Sequence, residues 1–327
     1  MKLGTIGTSW ITESFIDAVK STNQLTLTSV YSRSMEAAEQ FAKKHNAESA
    51  FDDLEKMARS SEIEVVYIAS PNSHHYEQAK IFIQNKKHVI CEKPIFSNLK
   101  EWEEIYRLAE EHGVFVFEAI RNFHSPNFTI LKKNLEKAGV IRSAMLHYLQ
   151  YSSRYDAFLR GENPNVFSPD FSGGALTDLG VYAIYAAVGL FGAPKSVSYH
   201  PVLLRNGIDG SGTLVLEYDS FVCTVLFSKI AASYISSEIH GEKGAFLLDK
   251  VSPISSVEFI DHKTHEKESL GVEQAENDMV YEIDQIVRTV ETNDRETYES
   301  WKEASRIVLS ITEEARRQNN IVFGTEK

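Results

Sequence analysis

The run Leu3-Gly4-Thr5-Ile6-Gly7-Thr8-Ser9-Trp10-Ile11-Thr12 passes from a short apolar segment, through one glycine, into an amphipathic stretch at 12–21. It reads as strand, tight turn and helix. The pattern repeats outward from there. Apolar segments rich in Val, Ile and Thr recur at 25–32, 65–70, 88–91 and 114–119. Helical periodicities lie between them at 35–45, 54–58, 75–85 and 99–112. Strands alternating with helices build right-handed βαβ units and a parallel sheet. The segments are apolar nearly throughout, as strands covered on both faces must be. After Arg121 the rhythm changes. One helical segment (128–138) leads to a strand at 144–152, then to a loop-rich stretch at 154–172 that holds Pro164 and Pro169. A helix is expected at 174–191. From 196 to 270 strands follow one another across turns such as Asn206-Gly207, Asp209-Gly210 and Glu242-Lys243-Gly244. Two amphipathic helices are expected at 275–291 and 298–317. Consecutive strands with little helix between them predict a largely antiparallel sheet. The expectation is an α/β domain over 1–121, with a parallel sheet, and an α+β domain over 122–327.

Length agrees, since 327 residues make about two domains at roughly 100–200 residues each. Hydrophobic residues are 43% and charged residues 24%, an ordinary globular balance that can bury its cores without staples. The formal net charge is −12, from 34 basic and 46 acidic residues. A nucleic acid or an anionic membrane needs a basic face, so neither is an expected partner. Two cysteines, Cys91 and Cys223, make no disulfide framework and no Cys-rich metal site. Cys91 reads as a small buried hydrophobe. The apolar run at 179–194 is shorter than the ~20 residues a spanning helix needs, and it holds three glycines. No charged and apolar leader precedes the first strand, so the expected location is the cytoplasm.

A dinucleotide loop wants glycine at three places: for the tight turn, for close approach of the pyrophosphate, and for helix–strand packing. Here Gly7 fills the first, Ser9 the second and Thr12 the third. One glycine alone is a weak signal, at home in any strand–turn–helix. Ser9 is small, however, and its hydroxyl can donate to a phosphate oxygen, while the helix start offers amides and a positive dipole end. Gly7, Thr8, Ser9, Trp10 and Ile11 are therefore candidate cofactor contacts. NAD enzymes place an acid about twenty residues further on to hold the ribose hydroxyls. No acid occurs from Ala18 through Met35, and the second strand ends Val30-Tyr31-Ser32-Arg33. A hydroxyl and a guanidinium suit a ribose phosphate, which favours NADP(H) over NAD(H). The plain alternative is that Arg33 is a solvated residue starting a helix.

Three further segments are more specific. They are Ala69-Ser70-Pro71-Asn72-Ser73-His74-His75, Cys91-Glu92-Lys93-Pro94, and Gly173-Gly174-Ala175-Leu176-Thr177-Asp178-Leu179-Gly180-Val181-Tyr182. In this order and spacing the chain resembles the Gfo/Idh/MocA oxidoreductases, and their dihydrodiol-dehydrogenase-like branch in particular. The likeness runs from the glycine loop to the last helix, and the loop departs from the family's usual glycines at Ser9. The resemblance implies a Rossmann domain followed by an open, mostly antiparallel sheet. It implies a homodimer or homotetramer formed through that sheet, and an active site outside the carboxyl ends of the parallel strands. The implied reaction is hydride transfer between the nicotinamide cofactor and an alcohol or carbonyl of a small polyol, sugar or cyclitol.

By position alone, Lys93 is a surface lysine and Tyr182 is equally a core residue. The resemblance makes Lys93 catalytic: at a strand's carboxyl end its cation can polarise a substrate oxygen and ease loss of a phenol proton. Asp178 and Tyr182, four apart, share a helix face. Many family members carry His at the second place; in the dihydrodiol branch a tyrosine is the acid/base. A free phenol titrates at about 10, so Tyr182 needs Lys93 nearby to act as a base near neutrality. Asp178 would bind a substrate hydroxyl or orient Lys93, or else simply cap a helix. Ser70, Pro71, Asn72, His75, Glu92 and Lys93 form the expected cofactor side of the strand ends, with Pro71 toward the adenosine and Asn72 either capping the next helix or, as the resemblance implies, contacting the nicotinamide ribose. His74 and His75 look like a metal pair, but neighbours on a helix point apart and no carboxylate motif accompanies them, so no metal is expected and their plain reading is as ordinary first-turn residues. Glu118, Arg121, Asn122 and His124 follow the last parallel strand, and Arg154 and Tyr155 open the polar loop; one or two would touch substrate. Two rival readings stand beside this one: an NAD-linked inositol- or sugar-type dehydrogenase, and a non-catalytic dinucleotide sensor with a degraded glycine loop. Joint retention of Lys93, Asp178 and Tyr182 opposes the sensor, which needs no proton relay.

Overall fold

The computed structural model describes all of residues 1–327. The chain forms two compact units, one of residues 1–119 with 276–303 and one of residues 120–275 with 304–327. In the first, strands β1 (Lys2–Ile6), β2 (Thr26–Tyr31), β3 (Ser49–Phe51), β4 (Val65–Ile68), β5 (His88–Glu92) and β6 (Val116–Ala119) make a parallel sheet in the order β3-β2-β1-β4-β5-β6. The order reverses between β1 and β4, so the turn at Gly7 lies at the switch point of a doubly wound sheet. Helices α1 (Trp10–Thr22), α2 (Met35–His45), α3 (Leu54–Ala58), α4 (His75–Gln84) and α5 (Leu99–His112) lie between successive strands. Their ends are encoded locally. Ser34, Asp53 and Asn98 cap α2, α3 and α5 by accepting from the amides of Ala37, Lys56 and Glu101. Asn23, Asn46 and Gly113 close α1, α2 and α5 in the left-handed region. The strand that the sequence pattern leaves out is β3, too short at three residues to register an apolar run.

The second unit contains α6 (Pro126–Asn134), β7 (Ile141–Leu149), α7 (Tyr155–Leu159), α8 (Val181–Phe191), β8 (Ser196–Leu203), β9 (Asp209–Glu217), β10 (Val222–Ser228), β11 (Ser237–Gly241), β12 (Gly244–Leu248), β13 (Val257–Asp261) and β14 (Lys267–Ser269). Its eight strands run β14-β13-β12-β11-β7-β10-β9-β8. Only β7 and β10 pair in parallel; every other neighbour is antiparallel. Leu146, Leu214, Val225 and Phe227 point to a core filled by α8. Each such side chain contributes about 1.5–3 kcal/mol when fully buried. The alternate residues Met145, Val215, Leu226 and Leu247 are half-exposed on the other face. The helical stretch Pro169–Phe191 is long and apolar enough to cross a membrane, yet most of it is buried as the core layer of this unit. Instead of the expected single helix at 174–191, a π-helical turn at Leu176–Gly180 precedes α8.

The second domain does not run uninterrupted from 122 to 327, because residues 276–303 belong to the first unit. There α9 (Met279–Thr292) buries Ile283, Ile286 and Val287 and packs on α1. Asn277 Nδ2 donates to the Ser14 carbonyl at 2.8 Å, and Gln24 Nε2 to Asp284 Oδ1 at 2.6 Å. Tyr298, at the start of α10 (Arg295–Gln318), accepts the Val116 amide on its hydroxyl at 3.3 Å. That satisfies a donor on the edge strand β6, which would otherwise invite another strand. An apolar stripe says that a helix is buried, not which sheet buries it, so this return is invisible in the periodicity.

Candidate active site

In the first unit the loop after β1 is built around Gly7, whose φ is +108°. A Cβ there would stand 2.7 Å from the Ala69 carbonyl oxygen, so only glycine fits. Thr12, at the third glycine place, is fully buried and its Oγ1 has no hydrogen-bond partner. Ser9 is the N-cap of α1, but its hydroxyl caps no amide. Thr8, Ser9 and Trp10 are exposed, Trp10 by 72%, and Ile11 is half-buried. The first amides of α1 and two uncapped hydroxyls thus form a donor set suited to a pyrophosphate. At the end of β2 the Ser32 amide donates to the Phe51 carbonyl at 3.1 Å. Ser34 is occupied as the α2 cap, while Arg33 is exposed and makes no ion pair. The residues present therefore fit a phosphorylated dinucleotide.

His75 lies between the ends of β4 and β5. His75 is fully buried, with Nε2 3.0 Å from the Ser70 carbonyl and Nδ1 3.1 and 3.3 Å from those of Pro94 and Ile95. Burial holds its pKa down at about 4, so the ring is neutral and has one N–H to donate. That one N–H braces one of the two loops, and the ring is enclosed between them. Ser70 Oγ donates to Gln78 at 2.7 Å, and Pro71 and Asn72 lead a single 3-10 turn, both half-buried. Glu92 is 9% exposed and accepts from Tyr67 Oη at 2.5 Å; Tyr67 in turn stacks on Phe15 of α1 at 3.7 Å. Glu118 accepts the Ile95 amide at 3.1 Å. These buried carboxylates fix the turn from which Lys93, half-buried and joined to Pro94 by a cis peptide, projects beyond β5. Burial raises the Cys91 thiol well above its ordinary range, which leaves it inert.

In the second unit Asp178 falls inside the π turn and Tyr182 in the first turn of α8. Gly173 and Gly174 make that turn possible. A Cβ on Gly173 would stand 2.7 Å from the Asn165 carbonyl, and one on Gly174 would run into the Asp209 carboxylate. Asp209, 1% exposed, accepts the Leu176 amide at 2.6 Å and the Tyr199 hydroxyl at 2.9 Å. Burial pushes its carboxyl upward, against those bonds and the charge of Lys229. Asp178 is ion-paired to Lys229, a residue that sequence reasoning missed. Tyr182 is 8% exposed, with the Tyr148 ring 5.6 Å from its own. Asn122 is committed internally, donating to the Tyr182 carbonyl at 3.0 Å and the Val251 carbonyl at 2.9 Å. His124 is buried and Arg121 half-buried. Arg154 is exposed, while Tyr155 joins an aromatic cluster with its ring 5.6 Å from those of Tyr151 and Phe167. The structure thus brings Asp178, Asp209 and Lys229 together, and Tyr182 with Tyr148. Lys93 belongs to the other unit.

Residues 1–120 match the oxidoreductase family with an NAD-binding Rossmann fold, and residues 136–247 match the GFO/IDH/MocA C-terminal domain. The chain is also 44% identical over 327 residues to the scyllo-inositol 2-dehydrogenase (NADP(+)) of Bacillus subtilis, covering 100% of this chain and 99% of that protein. The chain belongs to the Gfo/Idh/MocA family. As a Gfo/Idh/MocA protein it is an NAD(P)-binding oxidoreductase. The trans-1,2-dihydrobenzene-1,2-diol dehydrogenase of Danio rerio is 26% identical over 319 residues, spanning 91% of this chain and 90% of that one. Among solved structures, a 3-ketoreductase from Actinomadura kijaniata in complex with NADP and TDP-benzene superposes with a TM-score of 0.84. It is 21% identical and covers 96% of each chain, a likeness of fold.

Proposed function

We propose that this chain is an NADP(H)-dependent cyclitol dehydrogenase, interconverting one ring hydroxyl and its ketone. The observation that carries the reading is end-to-end similarity, at 44% identity, to a scyllo-inositol 2-dehydrogenase (NADP(+)). Arg33 supports the cofactor half: it is exposed, without an ion pair, and directly follows Ser32 where an NAD enzyme would carry an acid. Gly7, Thr8, Ser9, Trp10 and Ile11 hold the pyrophosphate at the start of α1, and Ser70, Pro71 and Asn72 border the rest of the dinucleotide. When bound, the nicotinamide supplies the hydride donor or acceptor. Lys93 steadies the reacting oxygen with its ammonium and stabilises negative charge there. Tyr182 Oη takes the hydroxyl proton on oxidation and returns it on reduction. Asp178 accepts from a neighbouring ring hydroxyl, a donor that a cyclitol has and a simple alcohol lacks. The half-exposed face of the eight-stranded sheet, with Met145, Val215, Leu226 and Leu247, is the surface through which a second copy associates.

Trp10 makes the cofactor half directly testable, since it is exposed in the phosphate loop. Tryptophan emission is followed while the protein is titrated with NADPH and, separately, NADH. Tighter quenching by NADPH is expected. Preference for NADH would overturn the roles of Ser32 and Arg33, and binding of neither would overturn the dehydrogenase reading itself.

A further inference from the structure

We propose that Lys229 is a positioning residue for the reaction, holding the Asp178 carboxylate ionised and fixed in direction so that it can receive a substrate hydroxyl. The proposal rests on the reading of Asp178 given above. Lysine is almost never fully buried unless it is paired, and Lys229 is 2% exposed. Its ammonium has three protons to place. It donates to the Asp178 carboxylate and to the Val166 carbonyl at 3.3 Å, and it lies 5.0 Å from the centre of the Phe167 ring. The backbone of Lys229 is equally constrained. Its amide donates to the Gly210 carbonyl at 2.8 Å, and its carbonyl accepts the Ser152 amide at 2.9 Å. The cation therefore sits at a fixed point just beyond β10.

A buried ion pair is a poor device for stability alone, because apolar side chains of the same volume do as well or better. This pair also differs in its two ends. Lys229 is enclosed, whereas the Asp178 side chain remains 30% exposed. The carboxylate is anchored from the inside by Lys229 and partly reaches the surface. It lies on a π turn, a distortion that recurs at functional sites. That turn is held twice, at its start by Asp209 on the Leu176 amide and in its middle by Lys229 on Asp178. The carboxylates that feel the ammonium are Asp178 and Asp209, and they share its charge. Without that charge, Asp178 would be both freer to turn and easier to protonate.

The test is a double-mutant cycle with Lys229→Met and Asp178→Asn in the full-length protein, read as kcat, KM for the cyclitol, their pH profiles, and NADPH affinity. Lys229→Met alone is expected to lower kcat/KM roughly 10²-fold, the scale of a small misplacement of a reacting group. NADPH affinity should not change, because the phosphate loop belongs to the other unit. The acid limb of kcat/KM should move to higher pH, since a carboxylate deprived of its cation takes a proton sooner. In the Asp178→Asn background, Lys229→Met should cause no further loss. An undiminished loss in that background would overturn the proposal, because Lys229 would then act by another route. If Asp178→Asn alone keeps full activity, both the Asp178 reading and this proposal fall; if only Lys229→Met does, this proposal falls and the reading of Asp178 survives. Lys229→Gln, which keeps a donor and drops the charge, replaces Lys229→Met if that variant does not fold, with the same expectations.

Discussion

Two lysines each stand one residue beyond a strand: Lys93 after β5 in the first unit and Lys229 after β10 in the second. Lys93 is half-buried and rises from a turn braced by His75 and Glu118. Lys229 is enclosed, and its charge is taken up by a carboxylate 51 positions earlier in the chain. The difference separates two uses of one side chain. A lysine that is only half-buried can bring its charge to a ligand. A lysine with no open head can act only through the group it holds.

Tyr182→Phe provides the largest expected effect. Loss of the phenolic proton should lower kcat roughly 10²–10⁴-fold with cofactor affinity unchanged. Unchanged turnover would remove Tyr182 from the proposed chemistry. Next, Lys93→Met should lower kcat roughly 10²–10³-fold while moving stability by no more than about 1 kcal/mol. Asp178→Asn should behave differently, losing about 3 kcal/mol in urea unfolding, because it strands the enclosed Lys229 charge. If Lys93→Met proved the more destabilising of the two, the contrast between the lysines would collapse.

Acid should probe the brace behind Lys93. His75 is held at about 4 against an ordinary 6.5, so its neutral form is favoured by the fold. The unfolded chain binds the proton first as pH falls. The contribution is therefore complete above 6.5 and is lost as pH drops toward 4, by about 3 kcal/mol in all. Asp209 has the opposite sign: its carboxyl is held above its ordinary value, so acid relieves a penalty there. Urea midpoints measured at neutral pH and near pH 4.5 should show early loss of the first unit's signal, and equal or reversed sensitivity of the two units would contradict this assignment. The smallest effect belongs to Arg33→Ala. Removing an exposed guanidinium should weaken NADPH binding about tenfold and leave NADH binding unchanged.

The same contrast explains what could be read from the sequence. Helices α2, α3 and α5 fall at 35–45, 54–58 and 99–112 as expected, because Ser34, Asp53, Asn98, Asn46 and Gly113 end them within a turn of chain. Gly7 is legible because a left-handed φ beside a carbonyl demands it. Lys93 stands out through Glu92 and Pro94, and Asp178 and Tyr182 through the glycine pair before them. The partners of Lys229 and His75 are not local. Phe227-Ser228-Lys229-Ile230 reads as any strand end, and only folding carries it to Asp178. His75 meets the carbonyls of Pro94 and Ile95, far from it in the chain, so its burial cannot be read from its sequence neighbours. The π turn escaped because apolar periodicity does not distinguish it from the helix it precedes.

NADP-linked oxidation of a cyclitol is the central proposed chemistry. The most direct measurement is the initial rate of reduced nicotinamide formation by the purified protein with the proposed cyclitol, supplied with NADP+ or with NAD+ at matched concentrations. A higher kcat/KM with NADP+, and little turnover of simple alcohols lacking a second hydroxyl, is the predicted result. Faster turnover with NAD+, or none with either cofactor despite tight NADPH binding, would contradict it.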